Sequence, residues 1–459
     1  MKINTCYTVD IKSQYIFKDG QAVGIRRVDE AVMKATRTAC LDALKFCVNA
    51  FLSDWDSLEE LSCLMRKRRG DLLIHSTKNN IAAYQGFDES FPYLPSYMRR
   101  AIVADALGIV SSYVSNHRNW ERLSVFERGS EPKVGYPTAY ELTFYDQDRI
   151  LNLSEGSVGL KLYSGKEWKW YYFRIGESDA RYIAKMAASR KLLSPVVEKS
   201  KGRYRIRFCF EESRKLIQNE DPFVYTVLAV DLGINAPASW CVMTAEGSVH
   251  ARGVIRLVGD EDRLRHAINR KRMYQQAGKK SHSIYRRLKH ANELLAINTA
   301  REIIKTAVLY DVDCIVFEHL DLKGSKVGRR MKERLHLWCA DNIQDRVELH
   351  AHRNGMRISR VCAWGTSMLA FDGTGRVQRG MDAGLGSYSV CRFQTGKIYN
   401  CDLNASYNIG ARYFLREYKK LPGCPELPKT SRCILADLRN LCQLIRLLRP
   451  DEPLKIRSV

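Results

Sequence analysis

Apolar residues along this chain change their spacing several times, and each change marks a different kind of element. Thr5 to Lys12 reads as a first strand. Val32, Ala35, Ala39, Ala43, Phe46, Cys47 and Ala50 then recur on one face of a helix. A second helical segment starts near Pro95, a favoured first-turn residue, and runs past Ala101 toward Val114. Its spacing is that of a packed bundle.

From about residue 135 to 212 the period falls to two. Glu141 to Leu153, Gly159 to Tyr163, Trp168 to Ile175 and Arg203 to Phe210 read as short strands. In the last of these, Tyr204, Ile206, Phe208 and Phe210 alternate with Arg203, Arg205 and Arg207. One face is therefore core, and the other is either a solvated surface or a row of phosphate contacts.

At Asp221-Pro222 the pattern changes again. Val224 to Val230 is almost continuously apolar, as expected of a strand buried on both faces. Ser239 to Thr244 and Ser248 to Val254 form a hairpin turning at Glu246-Gly247. A long helical region, a second buried strand at Cys314 to Phe317, more helix and a Gly-rich stretch from Trp364 to Tyr399 follow. Ile434, Leu438, Leu441, Ile445 and Leu448 mark a final helix packed on the body. Strands and helices mixed in this order predict an α/β multidomain protein.

Charge narrows the function. The 459 residues carry 74 Lys and Arg against 51 Asp and Glu, a net +23, which predicts a polyanionic partner. A membrane surface is the weaker candidate, because no apolar run approaches the roughly 18 residues needed to span a bilayer. The N-terminus has no apolar signal core, so a cytoplasmic protein is expected. None of the 14 cysteines forms a Cys-x-x-Cys pair, as in a reduced cytosolic protein.

Three acids sit where chemistry would need them. Asp231 ends the first buried strand and opens Asp-Leu-Gly-Ile-Asn, Glu318 ends the second, and Asp402 stands at an expected helix start. A carboxylate at the end of a buried strand is costly unless it is paired or binds a cation. Taken singly, Asp402 reads more readily as a helix cap than as a ligand. Clustered, the three fit one or two divalent ions, which activate water and stabilise the leaving oxygen of a phosphodiester.

The segments Ala229-Val-Asp-Leu-Gly-Ile-Asn, Ile315-Val-Phe-Glu-His-Leu and Asp402-Leu-Asn-Ala-Ser-Tyr-Asn-Ile-Gly resemble the three RuvC motifs of the TnpB family. These are OrfB-type, transposon-encoded RNA-guided nucleases related to compact type V CRISPR effectors. The resemblance places catalytic, metal-binding acids at Asp231, Glu318 and Asp402, with Mg2+ or Mn2+ as cofactor and two ions expected. It implies an RNase H-like RuvC nuclease domain over 223–412, in the C-terminal half. The N-terminal lobe is then a wedge-like β-barrel (1–22 and 135–222) interrupted by a helical recognition insertion (23–134). That part of the likeness rests only on the order of elements. Residues 413–459 form a helical tail.

Between the first two motifs the family carries a basic helical insertion, matched here by 261–310. Arg263 to His290 holds 10 Lys or Arg and no acid, and makes Arg270, Lys271, Arg272, Lys279, Lys280, Arg286 and Arg287 candidate nucleic-acid contacts beside Arg203, Arg205 and Arg207. The implied partners are a guide RNA and double- and single-stranded target DNA, in a prokaryotic cytoplasm and on the nucleoid.

The pattern breaks at the insertion 361–400, where relatives carry a four-cysteine zinc ribbon. Thr366-Ser367 is followed by Met-Leu-Ala-Phe-Asp-Gly, with Ala370 and Gly373 at the first cysteine pair, and Cys391 has Thr395 at its partner position. Cys362, Cys391 and Cys401 are too irregular for tetrahedral zinc, so no zinc is expected and packing should hold the segment. The Arg that usually precedes the third acid is also missing, since Asn400-Cys401 stands there; Arg392 and Arg360 are the candidates to replace it. The expected activity is RNA-guided DNA endonuclease. The alternatives are a guide-directed DNA-binding protein that represses without cutting and a guide-free RuvC nuclease.

Overall fold

Alternating apolar positions in the first half of the chain build two open sheets. The computed structural model describes residues 1–18, 21–200, 202–217, 224–233, 236–279, 281–319, 340–380, 384–420 and 434–448. It divides into two units, Lys2–Glu212 and Met1 with Ser213–Val459. Asp221-Pro222, Ile234, Asn235 and Lys280, singled out in the sequence, lie outside the described residues. Among the described residues no helix is long and apolar enough to cross a membrane.

In the N-terminal unit one sheet runs in the order Lys2–Asp10, Arg203–Ser213, Val196–Ser200, Leu142–Thr143, with Lys191–Leu192 also paired to Arg203–Ser213. The other runs Gln21–Arg26, Ser13–Lys18, Trp168–Arg174, Ser157–Tyr163, Arg149–Asn152. Both paths end in unpaired edges, so the barrel expected from element order is not closed among the described residues. Ile11 donates its N–H to Tyr204 of the first sheet and Lys12 to Arg174 of the second, which turns the chain from one sheet to the other. The inward positions share one core with helix Glu30–Ser53, whose start is capped by Asp29 Oδ1 accepting from Ala31 and Val32. Helix Ser96–Arg122 begins after Pro95, which sits at the cap rather than in the first turn.

The continuous strand expected over Glu141 to Leu153 is broken. A 3-10 turn at Asp146–Asp148 separates Leu142–Thr143 from Arg149–Asn152, and the two halves join different sheets.

The C-terminal unit is built on a five-stranded sheet of β1 (Val227–Asp231), β2 (Ala238–Met243), β3 (Val249–Ile255), β4 (Cys314–His319) and β5 (Arg357–Cys362), in the order β3-β2-β1-β4-β5. β1 is antiparallel to β2 and parallel to β4, and β4 is parallel to β5. Parallel pairing requires a crossover, which includes α1 (Val258–Gln276) and α2 (His282–Leu309). Helix α3 (Ala340–Arg353) precedes β5. A small antiparallel sheet of β6 (Gln378–Arg379), β7 (Val390–Arg392) and β8 (Ile398–Asn400) leads into α4 (Cys401–Tyr418), and α5 (Leu435–Leu448) follows.

The apolar run of β1 has a direct cause. Val227 and Ala229 face a core with α4 and α5, whereas Leu228 and Val230 face a second core with α2 and α3. Both faces are dry, so no position in the strand is left for a polar residue. Helix α4 can lie close because Gly410 rests on Ala229 and Met243; a Cβ there would stand 3.2 Å from Ala229 Cβ and 3.1 Å from Met243 Sδ. Gly410→Leu is expected to overpack this contact, lowering the urea midpoint by the equivalent of roughly 1–3 kcal/mol. An unchanged midpoint would show that α4 does not depend on this approach.

Candidate functional site

Asp231 is the residue at which β1 leaves the double-sided core. In the parallel register Val230 pairs with Phe317, which brings the strand ends carrying Asp231 and Glu318 side by side. Asp402 lies in the first turn of α4. It does not cap that helix: Asn400 Oδ1 accepts from the N–H groups of Asp402 and Leu403, both at 2.9 Å, leaving the Asp402 carboxylate available. The backbone at Gly233 passes close to it, since a Cβ there would lie 3.7 Å from Asp402 Oδ2.

All three acids are half-buried. Burial pushes the Asp231 carboxyl well above the ordinary range, and repulsion from Glu318 and Asp402 adds to it. Burial also raises Glu318 and Asp402. The three share one electrostatic field, although no group of three or more His, Cys, Asp or Glu among the described residues is drawn together as a ready-made metal site. Hard oxygen donors whose charge is penalised by burial and mutual repulsion fit a divalent cation such as magnesium.

Neighbouring groups offset part of that cost. Glu318 accepts a hydrogen bond from the Thr366 hydroxyl, and the Arg412 guanidinium further favours its ionised form. The backbone carbonyl of Glu318 accepts from Gln344 Nε2 at 3.1 Å. Arg379 acts on both Asp231 and Asp402, lowering the cost of their charge. It lies on β6, donates to the Ser367 carbonyl, and has a buried Nε with no hydrogen-bond partner among the described residues.

Arg379 is the residue the sequence did not single out. Of the two substitutes expected there, Arg360 is held by Gln344 at 2.9 Å and Glu348 at 2.8 Å. Arg392 lies on β7, the strand next to β6, and does not figure among the groups that offset the acids.

Helix α4 also fastens the insertion. Asn404 Nδ2 donates to the Leu369 carbonyl, and its Oδ1 accepts from Phe371 N. One turn on, Asn408 donates to the carbonyls of Thr366 and Leu369. Arg412, a further turn on, reaches the Cys362 carbonyl at 2.6 Å. The spacing of four in Asn404, Asn408 and Arg412 was the available signal for this clasp. The small sheet has its own core of Ala370, Cys391, Phe393 and Cys401, with Phe371 against Phe393, Tyr399 and Tyr407. The Cys391 and Cys401 thiols meet inside it, whereas Cys362 is exposed.

The candidate nucleic-acid residues fall into two groups. Arg203, Arg205 and Arg207 do line the outer face of their strand, but each meets a carboxylate. Arg203 and Arg205 reach Asp10 at 3.4 and 2.7 Å, and Arg207 reaches Glu141 at 2.7 Å and Glu198 at 3.5 Å. In the other group, Arg270, Arg272, Lys279, Arg286 and Arg287 are exposed, and Lys271 is half-buried beside the Tyr285 ring. Helix α1 has no buried residue.

The N-terminal half matches the model of the Aq_aa04 family over residues 22–164. No curated protein matches the chain. Among solved structures, the chain is similar to CasPhi-2 (Cas12j) bound to crRNA and phosphorothioate-DNA, with a TM-score of 0.52 at 10% identity over 89% of this chain and 91% of that one. The mini-RNA-guided endonuclease CRISPR-Cas_phi3 aligns at 0.48 with 11% identity, over 90% and 93% of the two chains. A Cas12f1-sgRNA-target DNA complex aligns at 0.33 with 12% identity, over 89% and 98%. The match to CasPhi-2 shows that the chain has the mixed α/β fold of Cas12-type effectors.

The charge balance makes a prediction that needs no substrate. An aspartate ionises near pH 4 in the unfolded chain. The folded protein holds these protons more tightly, so stability falls as pH rises from that ordinary value through the raised folded value, and stays low above it. Asp231→Asn should therefore raise the Tm in chelator at pH 7.5, by about 2–4 °C for each kcal/mol of repulsion relieved. Arg379→Ala should lower it. A lower Tm for Asp231→Asn in scanning calorimetry would refute this balance.

Proposed function

We propose that the chain is an RNA-guided DNA endonuclease that hydrolyses target phosphodiesters at a RuvC-type centre formed by Asp231, Glu318 and Asp402. The observation that carries this reading is the electrostatic coupling of Asp231, at the end of a buried strand, to Glu318 on the neighbouring strand and Asp402 at a helix start, in a chain with the Cas12-type fold. The sheet order, antiparallel through β3-β2-β1 and parallel through β1-β4-β5, supports an RNase H-like nuclease domain over 223–412. The N-terminal unit is then the wedge-like lobe with its helical recognition insertion. The three motifs favour kinship with TnpB-type transposon nucleases within this broader class.

Asp231 and Asp402 would share Mg2+ or Mn2+, and Glu318 would complete the site. The ions would supply an activated water and neutralise the charge that develops on the leaving oxygen. The chain's own groups do the rest. Thr366 fixes the Glu318 carboxylate, Asn400 caps α4 so that Asp402 stays free, and Arg379 places a positive charge where a scissile phosphate would approach. The guide RNA and target DNA are assigned by likeness to the CasPhi-2 complex. The exposed basic pair α1–α2 is the contact surface we favour, above the ion-paired Arg203, Arg205 and Arg207. The ribbon-like insertion is proposed to work without zinc, with its aromatic core and the α4 clasp holding it.

The test is purification with RNA co-expressed from the flanking sequence, followed by a target-cleavage assay in magnesium. Asp231→Ala, Glu318→Ala and Asp402→Ala are each expected to lower cleavage by roughly 100-fold or more. Arg379→Ala should reduce it while guide and target binding persist. Cleavage that survives Asp231→Ala overturns the site, and target binding with no magnesium-dependent nicking overturns the activity.

A further inference from the structure

Outside the candidate centre, one pair of nucleophilic side chains is placed for chemistry of its own. Strand Lys2–Asp10 lies at the edge of its sheet and pairs with Arg203–Ser213. The register is antiparallel. Ile11 bonds Tyr204 through the backbone, Asp10 faces Arg205 at 2.7 Å, and four residues along in each direction Cys6 faces Cys209. The two Sγ atoms are 3.4 Å apart. Cys6 is exposed and Cys209 half-buried, so a small reagent can reach the pair from the open edge. Directly opposed residues on an antiparallel pair have Cα atoms about 4.5–5.5 Å apart, which lies within the span a disulfide bridges, about 4.4–6.8 Å. Among the described residues the other touching thiols, Cys391 and Cys401, are fully buried.

We propose that Cys6 and Cys209 form a reversible dithiol–disulfide site that is oxidised by a small dialkyl disulfide such as oxidised glutathione. Cys6 loses its proton and attacks one sulfur of the reagent. The reagent's S–S bond breaks, and one small thiol leaves carrying a proton. Cys209 then loses its proton and attacks the Cys6 sulfur of the mixed disulfide, expelling the second small thiol. The protein loses two electrons and two protons, and the reagent gains both. Burial and the neighbouring Cys6 push the Cys209 thiol up to about 11, which makes the exposed Cys6 the entry point. The bond ties the first strand of the N-terminal unit to its last, closing a loop that spans nearly the whole of Lys2–Glu212. A cross-link over so long a loop restricts the unfolded chain and stabilises the folded one.

The experiment treats the full chain with oxidised glutathione at pH 8, blocks remaining thiols, digests with trypsin and reads the products by mass spectrometry. The expected product links the peptide Ile3–Lys12 to Phe208–Arg214, disappears with dithiothreitol, and is absent in Cys6→Ser and Cys209→Ser. Cys63 and Cys362, exposed and free, serve as controls and should carry glutathione singly. The oxidised wild type should melt higher than the reduced form, and the oxidised Cys209→Ser should not. Glutathione on Cys6 or Cys209 without the link, no reaction at either, or linkage of Cys6 to Cys63 or Cys362 in similar yield overturns the proposal.

Discussion

A carboxylate at the end of a strand buried on both faces is the constraint around which the C-terminal unit is arranged. Strand β1 sends Val227 and Ala229 into one core and Leu228 and Val230 into the other, so its first polar position is where it leaves the sheet. That position is Asp231. Its parallel neighbour β4 leaves the same core at the matching register position, at Glu318. Two acids are thus brought together by the hydrophobic effect acting on their neighbours, against their own repulsion. Helix α4 adds the third because Gly410 lets it lie on the same strand.

What holds the surroundings of the acids in place is a set of hydrogen bonds from α4 to backbone carbonyls. Asn404, Asn408 and Arg412 recur every fourth residue of α4 and hold the carbonyls of Cys362, Thr366 and Leu369. Buried amide bonds of this kind contribute roughly 1 kcal/mol each, and more is lost when one partner is left unpaired. They fix the segment that presents Thr366 to Glu318 and the Ser367 carbonyl to Arg379. The helix that carries Asp402 therefore also positions the groups acting on the other two acids. The Gly-rich insertion is part of the site's framework.

Much of this is legible in the sequence alone. A run such as Val227 to Val230 allows little else than a buried strand, and the period of two in Arg203 to Phe210 predicted its basic outer face correctly. The failures have identifiable causes. Glu141 to Leu153 alternates convincingly, but its two halves serve different sheets, and periodicity carries no record of which partner a strand chooses. Ser13–Lys18, Gln21–Arg26 and helix Glu177–Ser189 escaped notice; the two strands form an edge hairpin with exposed apolar residues at Ile16, Phe17, Val23 and Ile25. Taken singly, Asp402 reads as a cap because the true cap, Asn400, stands only two residues before it, and boundary chemistry is finer than pattern reasoning resolves. Arg379 could not be found at all. Its role depends on β6 folding back through β7 and β8 to the start of α4, a path that a Gly-rich stretch does not advertise.

Charge shows the same difference between a total and an arrangement. The excess of Lys and Arg pointed to a polyanion, yet Arg203, Arg205 and Arg207, the most regular basic row in the chain, spend their charge on Asp10, Glu141 and Glu198. An ion-paired arginine releases fewer counterions on meeting phosphate, because its own carboxylate must be displaced first. On α1 and α2 the balance is reversed. Arg263 pairs with Asp260 and Arg265 with Asp262 at the base of α1, but from Arg263 to His290 the sequence supplies no further acid. Net charge thus points to a class of partner, and the placement of the few acids decides which basic surface is left with fewer ion pairs to meet it.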